Sequence, residues 1–162
     1  MGWNMPYLFQ QWPSSGTAAG HGYRSYYEIE GHVAPISIGN RQWCLTPTAA
    51  PGWNAAVVLQ PCNGASGQQW TLDGYGEIRN TAYPGSCLDV RNNDMTNGTI
   101  LQLFPCNQTS AQLFRYNSDL SIHVGNNYYK CMDVSGGQMY PGAKVQVWDC
   151  NGTAAQTWLR WQ

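Results

Sequence analysis

Residues 144–148 read Lys-Val-Gln-Val-Trp, and in an extended chain Val145 and Val147 fall on one face while Gln146 and Trp148 fall on the other. The same alternation occurs twice earlier. Residues 99–104, Thr-Ile-Leu-Gln-Leu-Phe, set Leu101 and Leu103 against Gln102 and Phe104. Residues 56–60, Ala-Val-Val-Leu-Gln, set Val57 and Leu59 against Val58 and Gln60. Such short β-rich runs, bounded by Asn, Gly and Pro, predict about a dozen strands separated by turns, and helices are not expected. The aliphatic face of each run is expected to point into a core, which leaves the outward face, and Trp148 with it, accessible.

The pattern returns at a fixed distance. Cys62, Cys106 and Cys150 stand 44 positions apart, and so do Gln68, Gln112 and Gln156. This threefold repeat yields the units CLTPTAAPGWNAAVVLQPCNGASGQQW, CLDVRNNDMTNGTILQLFPCNQTSAQLF and CMDVSGGQMYPGAKVQVWDCNGTAAQTW. The six cysteines, Cys44, Cys62, Cys87, Cys106, Cys131 and Cys150, form pairs separated by 18, 19 and 19 positions. No close Cys-x-x-Cys clip is present, so disulfides of an oxidising compartment are a better reading than a metal site. Six cysteines permit fifteen connectivities. Units that fold alike select Cys44 with Cys62, Cys87 with Cys106, and Cys131 with Cys150, each closure contributing roughly 3 kcal/mol on the chain-entropy model.

A period of this length also suits solenoids and propeller blades. A propeller typically needs at least about four blades, whereas three units of short strands can close a barrel capped by hairpins. The expected fold is therefore all-β, a β-trefoil with pseudo-threefold symmetry and one disulfide within each repeat. Three features then coincide: Cys-Leu-Asp-Val at 87–90 and Cys-Met-Asp-Val at 131–134, a mid-repeat cysteine, and Gln-x-Trp at 68–70 and 156–158. On these motifs the chain resembles the ricin-type β-trefoil lectin domain over about residues 32–162, with repeats at about 32–75, 76–119 and 120–162. EGHVAPISIGNRQ is its first strand region, and the second unit departs from the pattern by ending in Gln112-Leu113-Phe114.

A neutral sugar presents hydroxyls that need directional acceptors and one apolar ring face that needs a flat partner. A carboxylate beside an exposed aromatic meets both needs. Across the units the outward aromatic position reads Gln60, Phe104, Trp148, and the residue two after the leading cysteine reads Thr46, Asp89, Asp133. Carboxylate and ring are lost together in the first unit, as loss of one site would leave them; an Asp that merely caps a turn has no reason to track the ring. The Gln-x-Trp position instead reads Trp70, Phe114, Trp158, always a large aromatic, as expected of a core layer that every repeat must fill. The resemblance implies that Asp133, Gln146, Trp148 and Gln156 form a carbohydrate site in the third repeat, and Asp89, Gln102, Phe104 and Gln112 one in the second. It implies that the Asp accepts hydrogen bonds from vicinal hydroxyls of a galactose-like or xylose-like ring, that the outward aromatic stacks on the ring, and that both glutamines add polar contacts. An Asn that often precedes the Gln-x-Trp glutamine is replaced here by Ala111 and Ala155.

Composition narrows the function further. Charged residues are 10% of the chain and the net charge is -1, so nothing marks an electrostatic partner such as nucleic acid or an anionic membrane. No apolar run approaches the roughly 18 residues of a membrane span, and membrane insertion is not expected. His21, His32 and His123 are scattered, no Ser or Cys nucleophile signature appears, and Asp89 and Asp133 belong to different repeats. A non-catalytic carbohydrate-binding protein without metal or cofactor is expected, taking galactosides or xylan- or arabinan-type polysaccharides. It is either a free lectin or the targeting module of a larger secreted glycoside hydrolase, protease or toxin; the reading of another class is a protein-interaction trefoil that binds no sugar.

Residues 1–31 lie outside the repeat yet carry Trp3, Tyr7, Phe9, Trp12, Tyr23, Tyr26 and Tyr27. So aromatic a segment is expected to strap over the barrel or to be the edge of an upstream catalytic or toxin domain. Its Gln10-Gln11-Trp12 is a chance match, since Trp12 precedes Cys44 by 32 positions, whereas Trp70 precedes Cys87 by 17. No basic start followed by an apolar stretch opens the chain, so a mature form or excised fragment of a secreted protein is expected. Three Asn-x-Thr sequons stand at Asn97, Asn107 and Asn151.

Overall fold

The computed structural model describes residues 2–7, 9–11, 32–125 and 127–160. β1 (Gly2–Tyr7) and β2 (Phe9–Gln11) pair antiparallel. Trp3, Tyr7 and Phe9 of the expected strap belong to this pair; Trp12, Tyr23, Tyr26 and Tyr27 lie outside the described residues.

Twelve strands follow: β3 (Val33–Ala34), β4 (Ser37–Ile38), β5 (Trp43–Pro47), β6 (Val57–Pro61), β7 (Trp70–Leu72), β8 (Ile78–Asn80), β9 (Ser86–Val90), β10 (Leu101–Pro105), β11 (Phe114–Tyr116), β12 (Ile122–Val124), β13 (Lys130–Val134) and β14 (Val145–Asp149). They form three antiparallel sheets, β10-β9-β8-β7-β3, β11-β12-β13-β14 and β4-β5-β6. Among the described residues the only helical segments are single 3₁₀ turns. Each repeat contributes one long hairpin, β5–β6, β9–β10 or β13–β14, and the disulfides join Cys44–Cys62, Cys87–Cys106 and Cys131–Cys150 within those hairpins, each across a Cα separation of 5.0 Å.

The last strand of the third repeat closes the barrel on the first repeat. Leu159 pairs with Ser37 through N–H to carbonyl bonds of 2.8 and 2.7 Å, as Thr71 pairs with Arg79 and Arg115 with His123. Residues 158–160 thus take the place that β7 and β11 hold in the other repeats. The hairpins close on one another cyclically: Gly52 N donates to Leu103 O, Gly98 N to Val147 O and Gly142 N to Leu59 O. In return Leu103, Val147 and Leu59 donate to Ala55, Thr99 and Ala143. Each repeat therefore satisfies the backbone of the next, and no hairpin strand of the cap is left with a bare edge.

The core is made of threefold sets. Ile36, Ile78 and Ile122 form one; Leu45, Leu88 and Met132 another; Val57, Leu101 and Val145, then Leu59, Leu103 and Val147, line the hairpins, all buried. Trp70, Phe114 and Trp158 fill the barrel layer expected of them. The indole N–H of Trp70 donates to Leu45 O and that of Trp158 to Met132 O, both at 3.1 Å. Phe114 fills the same place with a smaller ring and without that donor, so the layer keeps an aromatic and loses one hydrogen bond.

Two features depart from simple alternation. Val58, Gln102 and Gln146 occupy the outward face and are nonetheless buried, because neighbouring hairpins bridge at Ala56–Gln102, Val58–Lys144 and Ile100–Gln146 and cover them. At the position held by Leu72 and Tyr116 in the other repeats, the third has Arg160, which is buried. Its guanidinium donates to His32 O at 2.7 Å and to Trp70 O at 2.8 Å, and burial pulls its pKa down to about 10, so the cation persists at neutral pH.

Candidate functional site

In the third repeat Asp133 lies directly opposite Gln146 across the β13–β14 hairpin, and Cys131 lies opposite Trp148. Asp133 and Trp148 are therefore diagonal neighbours on the outer face. The carboxylate is buried, and each of its oxygens receives one amide. Gln146 Nε2 donates to Oδ2 at 2.9 Å and Gln156 Nε2 to Oδ1 at 3.1 Å. An ionised carboxylate has about four acceptor positions, so roughly one remains on each oxygen. Trp148 beside it is 39% exposed.

The second repeat has the same arrangement. Gln102 Nε2 donates to Asp89 Oδ1 at 3.1 Å and Gln112 Nε2 to Oδ2 at 2.8 Å, while Phe104, opposite Cys87, is partly exposed. Burial raises the Asp89 carboxyl above its ordinary value of 3.8, against the opposing pull of the Gln112 and then the Gln102 amide. In the first repeat Thr46 faces Val58, and Gln60 holds the ring position. That unit keeps the hairpin and lacks carboxylate, outer glutamine and aromatic together.

The Gln-x-Trp glutamines have a further task. Gln156 Oε1 accepts the Asn151 N–H at 2.9 Å while its amide also donates to Asp149 O; Gln112 does the same with Asn107 and Pro105 O, and Gln68 with Asn63 and Pro61 O. The following residues close Asx turns on the Asn side chains. These glutamines are buried, with donors and acceptor engaged, so they orient the carboxylate and clamp the loop after the second cysteine. The first repeat shows the clamp without a site: Gln68 Nε2 meets the Thr46 hydroxyl at 3.1 Å where the others meet a carboxylate.

Two residues at these sites escape a reading by repeat position alone. Arg91, in the turn after β9, donates through Nε to Gln102 Oε1 at 2.9 Å and through its terminal nitrogen to Trp53 O. Trp53, from the first repeat, meets Phe104 edge-on with ring centroids 5.2 Å apart. The signal available was an insertion: the strand-leading segment is Gly52-Trp53-Asn54-Ala55 in the first unit but Gly98-Thr99 and Gly142-Ala143 in the others. Beside the third site, Lys130 Nζ bridges Asp149 at 2.8 Å and Asn97 of the preceding repeat at 2.9 Å, which holds the Asp149 carboxyl below its ordinary value.

Among the described residues two clusters bring a third donor close to a cysteine pair, His123 with Cys131 and Cys150, and Glu77 with Cys87 and Cys106. In both, the sulfurs are bonded to each other and offer no thiolate to a metal. Burial lowers the pKa of His123, whose ring lies against Tyr128 with centroids 5.1 Å apart.

Solved structures share this architecture. The designed threefold-symmetric protein ThreeFoil superposes with a TM-score of 0.71 at 20% identity, covering 80% of this chain and 98% of that one. The ricin B-like lectin of Macrolepiota procera, solved in complex with lactose, gives a TM-score of 0.67 at 21% identity over 82% of this chain and 96% of that lectin. Among curated sequences, the uncharacterized protein Rv1419 of Mycobacterium tuberculosis is 30% identical over 59 residues, 36% of this chain and 38% of that protein, so the match spans well under half of the relative's length. The model of the ricin-type beta-trefoil lectin domain matches residues 33–158. Three repeats in register, their disulfides and that match agree: the chain belongs to the ricin-type β-trefoil lectin family.

Proposed function

We propose that this chain binds neutral glycans without catalysis, through shallow sites in its second and third repeats. One observation carries the reading: a buried carboxylate, held by two glutamine amides with acceptor positions to spare, lies beside an accessible ring in those repeats, and the carboxylate, the outer glutamine and the ring are missing together from the first, which keeps only Gln68. In the third site Asp133 accepts hydroxyl hydrogen bonds, Trp148 stacks on the apolar ring face, and Gln146 and Gln156 position the carboxylate. Asp89, Phe104, Gln102 and Gln112 play the same parts in the second. Galactose-like rings, or xylose- and arabinose-containing polymers, offer the vicinal hydroxyls and apolar face that this pairing suits.

One such site binds weakly, on the order of millimolar, near 4 kcal/mol. Two sites on different sectors of one barrel raise the apparent affinity for a branched or polymeric glycan by effective concentration, with no new contact. The three disulfides are consistent with an extracellular protein, and we extend this to secretion. Whether the chain acts alone or as the targeting module of a larger hydrolase, protease or toxin is a question of what it is joined to; both readings use the same sites.

A glycan array, followed by titration of galactose, lactose and xylo-oligosaccharides into the wild type and Trp148→Ala, tests the assignment. Binding is expected in the wild type, with loss of one class of site in the variant. Undiminished binding by Trp148→Ala removes the third site, and a folded protein silent on every galactose, arabinose and xylose structure favours a trefoil that binds protein instead.

A further inference from the structure

The two-residue insertion in the first repeat reaches the site of the second. Gly52 N donates to Leu103 O at 2.9 Å and Leu103 N donates to Ala55 O at 2.8 Å, so both ends of the insertion are pinned to β10. In the other repeats the corresponding glycine and partner, Gly98-Thr99 and Gly142-Ala143, are adjacent in sequence. Trp53 and Asn54 therefore have to bulge away from the strand beside Phe104. The Trp53 indole crosses the Phe104 ring at 64° and stays 60% exposed. Its carbonyl accepts from Arg91, Arg91 donates to Gln102, and Gln102 donates to Asp89, a continuous chain from the insertion to the carboxylate. A large exposed indole anchored in this way presents a second flat apolar face set at a steep angle to the first.

We propose that Trp53 is a sugar-contacting residue of the second-repeat site, which accordingly takes at least a disaccharide: one ring over Asp89 and Phe104, the adjoining ring against the indole. This rests on the lectin reading above. The third site lacks such a ring: the preceding repeat brings Asn97, Gly98, Thr99 and Ile100 beside β14, none of them aromatic, and it recognises a single ring. The two sites of one chain then differ in the ligand length they prefer.

The test uses Trp148→Ala to silence the third site, then compares galactose with lactose and xylose with xylotriose by calorimetry, with and without Trp53→Ala. The second site alone is expected to prefer the better oligosaccharide to its monosaccharide by about tenfold, the scale of one extra stacked ring. Trp53→Ala should bring that ratio close to one while leaving monosaccharide affinity within about twofold, and Trp53→Tyr should restore most of the preference. An unchanged ratio in Trp53→Ala overturns the proposal. So does a gain in monosaccharide affinity, which would mean that the indole covers Phe104 instead of extending it. A wild type that binds no sugar fails at the earlier step and overturns the lectin reading itself; a wild type that binds monosaccharide and oligosaccharide equally overturns only the extension.

Discussion

Replacing Gln156 by Ala separates the clamp from the site. Three hydrogen bonds go with the side chain: to Asp133 Oδ1 at 3.1 Å, to Asp149 O at 2.9 Å, and from Asn151 N at 2.9 Å. The two neutral bonds contribute about 1 kcal/mol each and the amide–carboxylate bond about 1.5–3 kcal/mol. Asn151 is exposed, so water recovers part of its share; a net loss of about 3–4 kcal/mol is expected. Gln68→Ala is the internal control. It is equally buried, at 2% exposure for both residues, and makes the two equivalent backbone bonds, but its third partner is the neutral Thr46 hydroxyl. Its loss should be smaller by about 1 kcal/mol. For a chain of this size each kcal/mol moves the midpoint by about 2–4 °C, so calorimetry should resolve the pair, with Gln156→Ala melting about 3 °C below Gln68→Ala. Gln156→Ala should also weaken sugar binding at the third site, because Asp133 loses one of the two amides that orient it. Equal losses of stability would refute the charge-assisted bond, and losses under about 1 kcal/mol in both would refute the clamp.

Trp148→Ala, at a residue 39% exposed, should cost clearly less than Trp158→Ala, which should cost about 3–5 kcal/mol by leaving a cavity in the barrel layer; denaturant unfolding of the two variants distinguishes surface from core. In a Trp148→Ala background, sugar binding by the second repeat should fall as pH drops through the Asp89 pKa, at a pH above 3.8, because the protonated carboxyl loses its charge-assisted acceptor capacity. Stability runs the other way: between the ordinary and the raised value the folded state holds more protons, so the Asp89 contribution diminishes as pH rises through that window. A binding midpoint at or below 3.8 would contradict the burial of this carboxyl. Replacing Cys44 and Cys62 together by Ala should lower stability by about 3 kcal/mol while both proposed sites keep their monosaccharide affinity, since neither carboxylate nor the ring beside it lies in that repeat.

The repeat was legible because symmetry makes the chain its own alignment. Its spacing implies three equivalent hairpins, equivalence implies the disulfide pairing, and comparing like positions separates Trp158, always matched by a large ring, from Trp148, which is not. Alternation alone does not separate them, since both follow a glutamine by two residues. What repeat comparison cannot reach is contact between repeats. Whether Gln146 on the outward face is open or covered depends on the strand that crosses it, and the structure covers it with the hairpin bridge at Ile100. The clamp formed by Gln68, Gln112 and Gln156 depends on a loop folding back on its own hairpin, which only the folded geometry shows. Trp53 stands in the repeat without a carboxylate, so its own unit gives it no ligand to meet; the cyclic closure of the cap carries it to Phe104 of the next. Which residues are equivalent is written in the local pattern and spacing, which are properties of the chain. Which of them meet is settled only on folding, because those contacts join residues far apart along the chain through packing and hydrogen bonds that no local period encodes.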